Sequence, residues 1–444
     1  MELGVVRGKE AALGNQRIPA TRRERWSWYL YDFGNSAYAA VVLLAVYSAY
    51  FKQTVVGGAE GSRYWGLSVG IAMLVVAVIS PLLGALADFS ATKKRILFVF
   101  TSLACVFTAL LFFVQQGNIF MGMLFFILAE IGYRGGQVFY NALLPDIAEP
   151  EQMGRVSGNG WALGSFGGIL CLGIVLALIL TVKGTFIIRV AFLITAAFYA
   201  LATLPVFLFV RERTRPQPLP QGETHLSLSF KKLWKTFQEA RQYKDFIRFL
   251  VAFLVYNNGI MMILDFAAII GAVLYGMNQQ QLIIFMMIVQ VTSVIGAYLF
   301  GLLTHRLGGK ISLVISLVFM MLAVGLLFFV NSLAVFNMVG ALAGFALTGV
   351  QSVSRTVVGQ VCPVEKAAEF YGLFSVAGQI SSFTGPAIYG FLATALALRL
   401  YQPRGFSAHA AEAAGLEAAL FSILGFLLLG LIFLLFVKNW RRAD

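Results

Sequence analysis

Long apolar runs recur along the whole chain and alternate with short polar connections. A helix of about 20 apolar residues is long enough to cross the hydrocarbon core of a bilayer. Hydropathy marks twelve such runs, so we predict an all-α polytopic membrane protein with twelve transmembrane helices. The spans are predicted at about residues 28–51, 64–87, 96–115, 119–141, 158–182, 187–210, 247–274, 280–303, 311–330, 333–354, 370–396 and 417–437.

The composition agrees with a chain whose bulk lies in the membrane. Of the 444 residues 59% are hydrophobic and 12% are charged, whereas a soluble domain has about 25% charged residues. The net charge is +13, and 25 of the 33 Lys and Arg lie in the two tails and in alternate connections. This asymmetry predicts that both termini are cytoplasmic. It also explains the positive charge without a nucleic-acid partner.

The longest charged connection, residues 211–246, divides the chain into two halves. It begins with the Pro-rich stretch RERTRPQPLPQGETH, and in the segment after it Phe230, Leu233, Trp234 and Phe237 share one helical face. We predict an amphipathic helix on the cytoplasmic surface; a solvated linker with one apolar turn is the alternative. The predicted organisation is a tail at 1–27, a six-helix bundle at 28–210, the linker at 211–246, a second bundle at 247–437 and a tail at 438–444.

The two halves share a motif after their second span, which indicates an internal repeat. GALADFSATKKR begins at Gly84 and GLLTHRLGGK begins at Gly301, an offset of 217 residues. Farther along the chain the offset is 214, as for Gln137 with Gln351. Two parallel six-helix repeats, related by an axis along the membrane normal, are the architecture of one large class of transporters. We therefore predict two pseudo-symmetric six-helix bundles.

Four stretches carry a specific resemblance. The motif at Gly84 resembles the loop between spans two and three of the major facilitator superfamily. YDFGNSAYA in span one, VFYNALLPDIAEPEQMGRVSGNGWALGSFGG across spans four and five, and GVQSVSRTVVGQVCP with EFYGLFSVAGQISSFTGP across spans ten and eleven resemble its vacuole-effluxer-like branch. That branch includes the autophagy-related vacuolar amino-acid exporters of yeast, so the resemblance implies the major facilitator fold and a transporter. The chain departs at Asn258, where an acidic residue is expected, and at His305, which stands where the first motif has Asp88.

The fourth span carries charged and amide side chains on one face. At 100° per residue Glu130, Arg134, Gln137 and Asn141 fall within about 60° of one another. Charged groups at bilayer depth are costly, so such a stripe is predicted to face the protein interior. Glu130 and Arg134 are four residues apart and well placed to pair. Two interpretations stay open: the stripe lines the substrate path, or the pair is a structural lock between helices.

Spans seven, eight and ten contribute further candidates for the substrate path. Asn258 and Asp265 lie seven residues apart on one face of span seven, Gln290 lies in span eight, and Gln351 lies in span ten. Because intramembrane carboxyl groups form proton relays in transporters, Glu130 and Asp265 are the candidates for proton coupling. The alternative for Asp265 is a place in an external vestibule, where it stays ionised.

Residues near the cytoplasmic ends of the spans are candidates for gating. Asp32 and Asn35 share one face of span one but lie too close to its start for a midplane substrate. We expect them to join an inner gate with Arg355 of span ten; a cap for a neighbouring helix end is the alternative. Arg355 itself either grips a substrate carboxylate or closes a gate by pairing with an acid, and we favour the gate. Asp88 and Arg95 of the loop motif are assigned to the same machinery, because a carboxylate there can meet a helix N-terminus.

The sequence predicts a transporter and no enzyme. GxSxG, P-loop and HExxH patterns do not occur, so we expect no cofactor and no metal site. The expected function is secondary transport of a small solute by alternating access of a midplane site. Acids and bases on the predicted path together suit a zwitterion, so amino acids or similar metabolites are the expected substrates, with export as the direction and protons as a candidate coupling ion.

Two other functions stay open at this stage. One is export of drug-like or siderophore-like compounds, and the other is a membrane sensor that keeps the fold without transport. The expected location is the inner membrane of a bacterium, or a vacuolar membrane if the source is eukaryotic, and the expected state is a monomer in the lipid bilayer.

Overall fold

The structure is a computed structural model, and it describes residues 20–89, 92–148, 153–182, 184–213, 234, 238–330, 332–361 and 367–437. Within these ranges twelve helices are long and apolar enough to cross a membrane, which confirms the predicted number. Because consecutive spans run in opposite directions, the start of the first and the end of the last lie on one side of the molecule. We call it the termini side and the opposite side the far side.

The helices are labelled in chain order. They are α1 Arg22–Val56, α2 Glu60–Phe89, α3 Lys93–Leu110, α4 Ile119–Ala142, α5 Met153–Thr181, α6 Thr185–Phe209, α7 Lys244–Leu274, α8 Gln279–Leu307, α9 Gly309–Leu326, α10 Leu333–Val361, α11 Ala367–Leu396 and α12 Ala408–Leu435. A π-helical segment, Ala397–Tyr401, continues α11 on the far side.

Two helices begin outside their apolar runs because their first turns are capped. At the start of α1 the Glu24 backbone N–H donates to Thr21 Oγ1 at 3.2 Å, and the Thr21 N–H donates to the Glu24 carboxylate at 2.8 Å. This capping box satisfies N–H groups that the first turn leaves free. α12 begins at Ala408, well before the predicted residue 417, where Ser407 is its N-cap and alanines favour the first turns.

The helices pack in two groups of six. In the first group α1 packs against α5 and α6, and α3 against α4; in the second group α7 packs against α11 and α12, and α8 against α10. The main contact between the groups is made by α2 and α11. At this contact Gly66 lets the helices approach so closely that a Cβ atom would lie 2.5 Å from the Pro386 carbonyl oxygen.

The glycines of α5 allow close helix packing. A Cβ atom at Gly167 would lie 2.1 Å from the Phe33 carbonyl oxygen of α1, and one at Gly164 would lie 2.8 Å from Ser36 Oγ. Such small residues let transmembrane helices approach at backbone distance. α1 and α5 therefore form a tight pair inside the first bundle.

A charged network holds the termini side of the first bundle together. Arg213, which follows α6, donates from Nη2 to both Glu24 carboxylate oxygens at 2.8 and 2.7 Å, and its backbone N–H donates to Asp146 Oδ1 at 2.7 Å. Lys93 Nζ lies 3.6 Å from Asp146 Oδ2, and the Lys93 backbone N–H donates to Glu212 at 3.0 Å. Lys93 of the loop motif thus ties α3 to the ends of α4 and α6, and Arg213 ties the end of α6 to α1.

The linker between the bundles falls largely outside the described residues. Of the predicted amphipathic segment the structure describes Trp234, which is exposed, and residues 238–246. The amphipathic helix therefore stays a prediction. Asp88 lies in the last turn of α2, and its side chain falls outside the described part of the structure.

Candidate functional site

A cavity of about 450 Å³ lies between the two bundles. Its wall is formed by α2 and α4 of the first bundle and by α7, α10 and α11 of the second. Asn141, Arg355 and Tyr371 at its rim are exposed and lie at the termini-side ends of their helices. The cavity is therefore open to the termini side.

Contacts between the bundles close the cavity on the far side. The Trp65 indole N–H of α2 donates to the Asp265 carbonyl oxygen of α7 at 2.9 Å, and Thr394 Oγ1 of α11 donates to the Ala59 carbonyl oxygen at 2.9 Å. Lys52 of α1 and Glu412 of α12 form an ion pair, and both side chains are buried. The far side is thus sealed by hydrogen bonds and one charged pair.

The inner end of the cavity holds three ionisable side chains from both bundles. Arg134 Nε donates to Glu130 Oε1 at 2.8 Å, so the predicted pair exists. Arg134, Glu130 and Asp265 line one small chamber together with Ser382. Glu130 is fully buried and Asp265 is 6% exposed. The chamber therefore joins α4 to α7 at the interface that must rearrange in any rocking motion.

Glycines on the opposite face of α4 direct its polar stripe into this space. Gly132 meets the Ala104 backbone of α3, where a Cβ atom would lie 2.5 Å from the amide nitrogen, and Gly135 meets the Phe100 ring at the same distance. Because this face packs so closely on α3, the face that carries Glu130 and Arg134 is turned toward the second bundle. The sequence prediction of an inward polar stripe agrees with this geometry.

Asp265 does not lie in a vestibule on the far side. Its backbone carbonyl accepts a hydrogen bond from Trp65, which is itself fully buried and stands between Asp265 and the far side. The carboxylate instead lines the chamber with Glu130 and Arg134. The alternative of an external, solvated Asp265 is therefore wrong for this conformation, in which the side chain is buried.

Four of the eight predicted path residues, Arg134 among them, lie in the wall of the open cavity. Gln137 and Asn141 of α4 and Gln351 of α10 line it, and so does Arg355, which we assigned to a gate. The stripe on α4 and its repeat on α10 thus face each other across the space between the bundles. Their roles as substrate path and gate stay predictions.

The structure adds polar wall residues that the sequence did not single out. They are Asn257, Tyr371, Ser375, Gln379 and Ser382. Ser375, Gln379 and Ser382 follow one another at spacings of four and three on α11, which is one helical face. This spacing was the available signal, but short polar residues also occur on packed faces of membrane helices.

Asn258 lies outside the cavity wall, and this corrects its place on the predicted path. Its Nδ2 donates to the Leu254 carbonyl oxygen at 2.7 Å, and its Oδ1 accepts from Thr384 Oγ1 at 2.6 Å. α11 crosses α7 here, with Gly385 against the Asn258 backbone. The amide next to it, Asn257, faces the cavity instead.

The candidate gating residues of the span-one stretch YDFGNSAYA, Asp32 and Asn35, lie inside the first bundle. Asp32 faces Gly164 of α5, where a Cβ atom would lie 3.0 Å from its carboxylate, and Asn35 is buried. Asp32 and Arg355 form no ion pair within the described residues of this conformation. Arg95 is exposed in the first turn of α3. Gating by these residues therefore stays a prediction for the opposite state.

Gln290 lies at a second, apolar cavity within the second bundle. That cavity is bounded by α7, α8, α9 and α10, and Leu44 of α1 reaches it. The Gln290 side-chain oxygen faces Gly168 of α5, where a Cβ atom would lie 3.0 Å from it. Gln290 thus bridges the α5–α8 contact and does not line the open cavity.

Comparison with known proteins decides the family. The model of the family described as "Vacuole effluxer Atg22 like" matches residues 62–395, which is more than half of the chain. The chain belongs to this family. It is 29% identical over 436 residues to the MFS-type transporter YxiO of Bacillus subtilis, with 96% of each chain covered. It is 28% identical over 271 residues to autophagy-related protein 22 of Yarrowia lipolytica, which covers 54% of this chain and 45% of that relative.

Solved structures confirm the predicted major facilitator fold. A bacterial homologue of the human lysosomal transporter Spinster, in an inward-facing and unoccupied conformation, superposes with a TM-score of 0.71 at 16% identity, over 95% of this chain and 98% of that one. A mutant of the nucleoside transporter NupG superposes with a TM-score of 0.74 at 13% identity, over 94% of this chain and 100% of that one. The protein is an integral membrane protein and a transporter of the major facilitator type.

Proposed function

We propose that the protein moves a small solute by alternating access, with the cavity between the bundles as its binding site. The observation that carries the proposal is the shape of that cavity: it is open on the termini side, sealed on the far side and ends at three ionisable groups. Rocking of one bundle against the other exposes such a midplane site to each side in turn. The α2–α11 contact is the natural place for the bundles to move against each other.

Protons are the proposed coupling ion, carried by Glu130 and Asp265. Glu130 Oε2 is buried and forms no hydrogen bond with a described residue, while Oε1 is held by Arg134. Tyr38 of α1 faces the same carboxylate, and Asp265 of α7 shares its chamber. A proton on Glu130 weakens its bond to Arg134 and leaves this guanidinium to Asp265 of the other bundle, so protonation is linked to the contact between the bundles.

Amino acids or similar small metabolites are the proposed substrates, and export is the proposed direction. The guanidinium groups of Arg134 and Arg355 offer partners for a carboxylate, and Asp265 offers one for an ammonium group. The family description, vacuole effluxer, supports export. The excess of Lys and Arg in the tails and alternate connections supports a cytoplasmic termini side, in a bacterial inner membrane or a vacuolar membrane.

Reconstitution tests this function directly. Purified protein in proteoliposomes is given the twenty labelled amino acids, one at a time, with and without an imposed pH gradient. We expect uptake of at least one amino acid, faster with the gradient. Uptake that ignores the gradient would refute proton coupling, and transport of hydrophobic dyes with no amino acid would favour the drug exporter. Binding without flux would favour a sensor.

A matched pair of variants isolates the coupling role of Glu130. Glu130→Gln is expected to abolish gradient-driven flux while exchange of labelled for unlabelled substrate continues. Glu417→Gln removes an exposed carboxylate of α12 outside the cavity and is expected to leave both activities unchanged. Gradient-driven flux that survives in Glu130→Gln would leave this residue a structural role.

A further inference from the structure

The charged side chains that line the open cavity all have one sign. Among its described lining residues Arg134 and Arg355 are charged, and no Asp or Glu is present. The two acids nearest to it, Glu130 and Asp265, lie in the smaller chamber beyond Arg134. A ligand that enters from the termini side therefore meets positive charge first and negative charge only at the inner end.

Both guanidinium groups have N–H donors to spare. Arg355 forms no ion pair and donates no hydrogen bond to a described residue, although its carbonyl oxygen accepts from Tyr371 at 2.9 Å. Arg134 uses Nε for Glu130, and its side chain remains 34% exposed. Neither Arg134 Nη atom bonds a described residue. Because Glu130 holds Arg134 by Nε, the Nη edge is left for a ligand.

The remaining polar groups of the wall are neutral. Amides come from α4, α7, α10 and α11, and hydroxyls from α11. Asn257 is 1% exposed, and its Oδ1 is buried without a hydrogen bond to a described residue. Buried polar atoms are normally paired, so this amide oxygen is suited to a donor supplied by a ligand or water. Such a wall binds a polar molecule, but it offers an ammonium group an ionic partner only beyond it, at Asp265 in the inner chamber.

We propose that this cavity selects its ligand through a carboxylate group and that an amino group on the ligand is dispensable. The inference deepens the proposed function, because it concerns the same cavity and narrows its substrates to carboxylates. Arg355 contacts the carboxylate near the rim of the cavity. At the inner end the Nη edge of Arg134 then binds the carboxylate with the bidentate geometry that a guanidinium offers. Cationic compounds are repelled from the entrance, which separates this protein from exporters of amine drugs.

Thermal unfolding of the purified protein tests carboxylate selection without requiring transport. A ligand that binds the native state raises the apparent Tm by mass action. The probes are alanine, leucine and phenylalanine, their des-amino acids propionate, 4-methylpentanoate and 3-phenylpropionate, and the three amino-acid amides. We expect the amino acid and the des-amino acid of at least one size to raise the Tm, and the amides, which carry only a positive charge, to have no effect.

Two arginine variants assign the effect to the cavity. Arg355→Gln is expected to weaken the apparent Kd of the active carboxylate about tenfold or more, since a charge-assisted contact is lost. Arg404→Gln removes an exposed positive charge on the far side and is expected to leave the apparent Kd unchanged. Amides that stabilise as well as the acids, no shift with any carboxylate, or a shift that survives in Arg355→Gln would each overturn the inference. Binding of carboxylates without flux would refute the proposed transport but would still support carboxylate recognition by the cavity.

Discussion

Lys52 of α1 and Glu412 of α12 form a buried ion pair that joins the two bundles on the far side. Their side chains are 4% and 7% exposed, and the Lys52 carbonyl packs on Gly61 at the start of α2. A buried charge that loses its partner costs about 3–5 kcal/mol. In the proposed alternating access the bundles separate on the far side and this pair is broken, so we expect the cost to fall on the closed conformation.

Removing one partner is therefore expected to open the far side. In Lys52→Met the Glu412 carboxylate is left buried and unpaired, and it regains water when the bundles separate there. We expect a Ser62→Cys reporter at this interface, in a cysteine-free background, to react with a water-soluble thiol reagent at least about tenfold faster. The exchanged pair Lys52→Glu with Glu412→Lys is expected to restore the slow rate. An unchanged rate in Lys52→Met would show that the pair does not hold the far side closed.

A second prediction concerns the closest approach of the bundles. Gly66→Ala places a Cβ atom 2.5 Å from the Pro386 carbonyl oxygen, which α2 and α11 relieve by moving apart on the far side. We expect slower labelling of a Ser375→Cys reporter in the termini-side cavity, because that cavity closes as the far side opens. Gly173→Ala is the control, since nothing lies within 4 Å of a Cβ atom at that position. Equal labelling in both variants would refute a role of this contact in the conformational equilibrium.

The network on the termini side predicts a stability effect without a conformational one. Glu24→Gln leaves the Arg213 guanidinium without the carboxylate that accepts two of its hydrogen bonds, and a loss of about 3 kcal/mol in stability is expected. The matched control is Glu60→Gln. Its exposed pair with Arg63 at 2.9 Å contributes about 0.5 kcal/mol or less. Thermal unfolding in detergent measures both, and equal apparent Tm values would contradict the buried network.

The sequence predicted the spans, the repeat and the polar face of α4 because each is a periodic pattern. Twelve apolar runs became twelve helices, and the spacing of Glu130 and Arg134 gave a pair that the structure contains. These features depend on local geometry, since residues four apart on a helix meet wherever the helix packs. The resemblance to the vacuole-effluxer-like branch was confirmed by the family match over residues 62–395, a range that does not include YDFGNSAYA of span one.

The contacts between helices that are distant in the chain could not be predicted from the sequence. Lys52 and Glu412 lie in connections that hydropathy assigns to loops, and nothing local relates residues 360 positions apart. Helical spacing to Asp265 could not show which of Asn257 and Asn258 faces the cavity. The answer depends on where α11 crosses α7, since Asn258 is hydrogen-bonded to α11 at that crossing. In α1 the π-helical segment Ala39–Ala45 also breaks the regular spacing on which such arguments rest.

Substitutions of the neighbouring amides Asn257 and Asn258 of α7 are expected to separate an effect on substrate affinity from an effect on stability. Asn258→Ala removes the acceptor of the Thr384 hydroxyl at 2.6 Å and is expected to cost about 1 kcal/mol of stability. Asn257→Ala removes an amide whose oxygen bonds no described residue, so the apparent Tm is expected to stay the same while substrate affinity falls. Both are measured on one preparation by thermal unfolding and by concentration-dependent flux. If Asn257→Ala lowers the Tm and spares the affinity while Asn258→Ala does the reverse, the cavity wall has been assigned to the wrong face of α7.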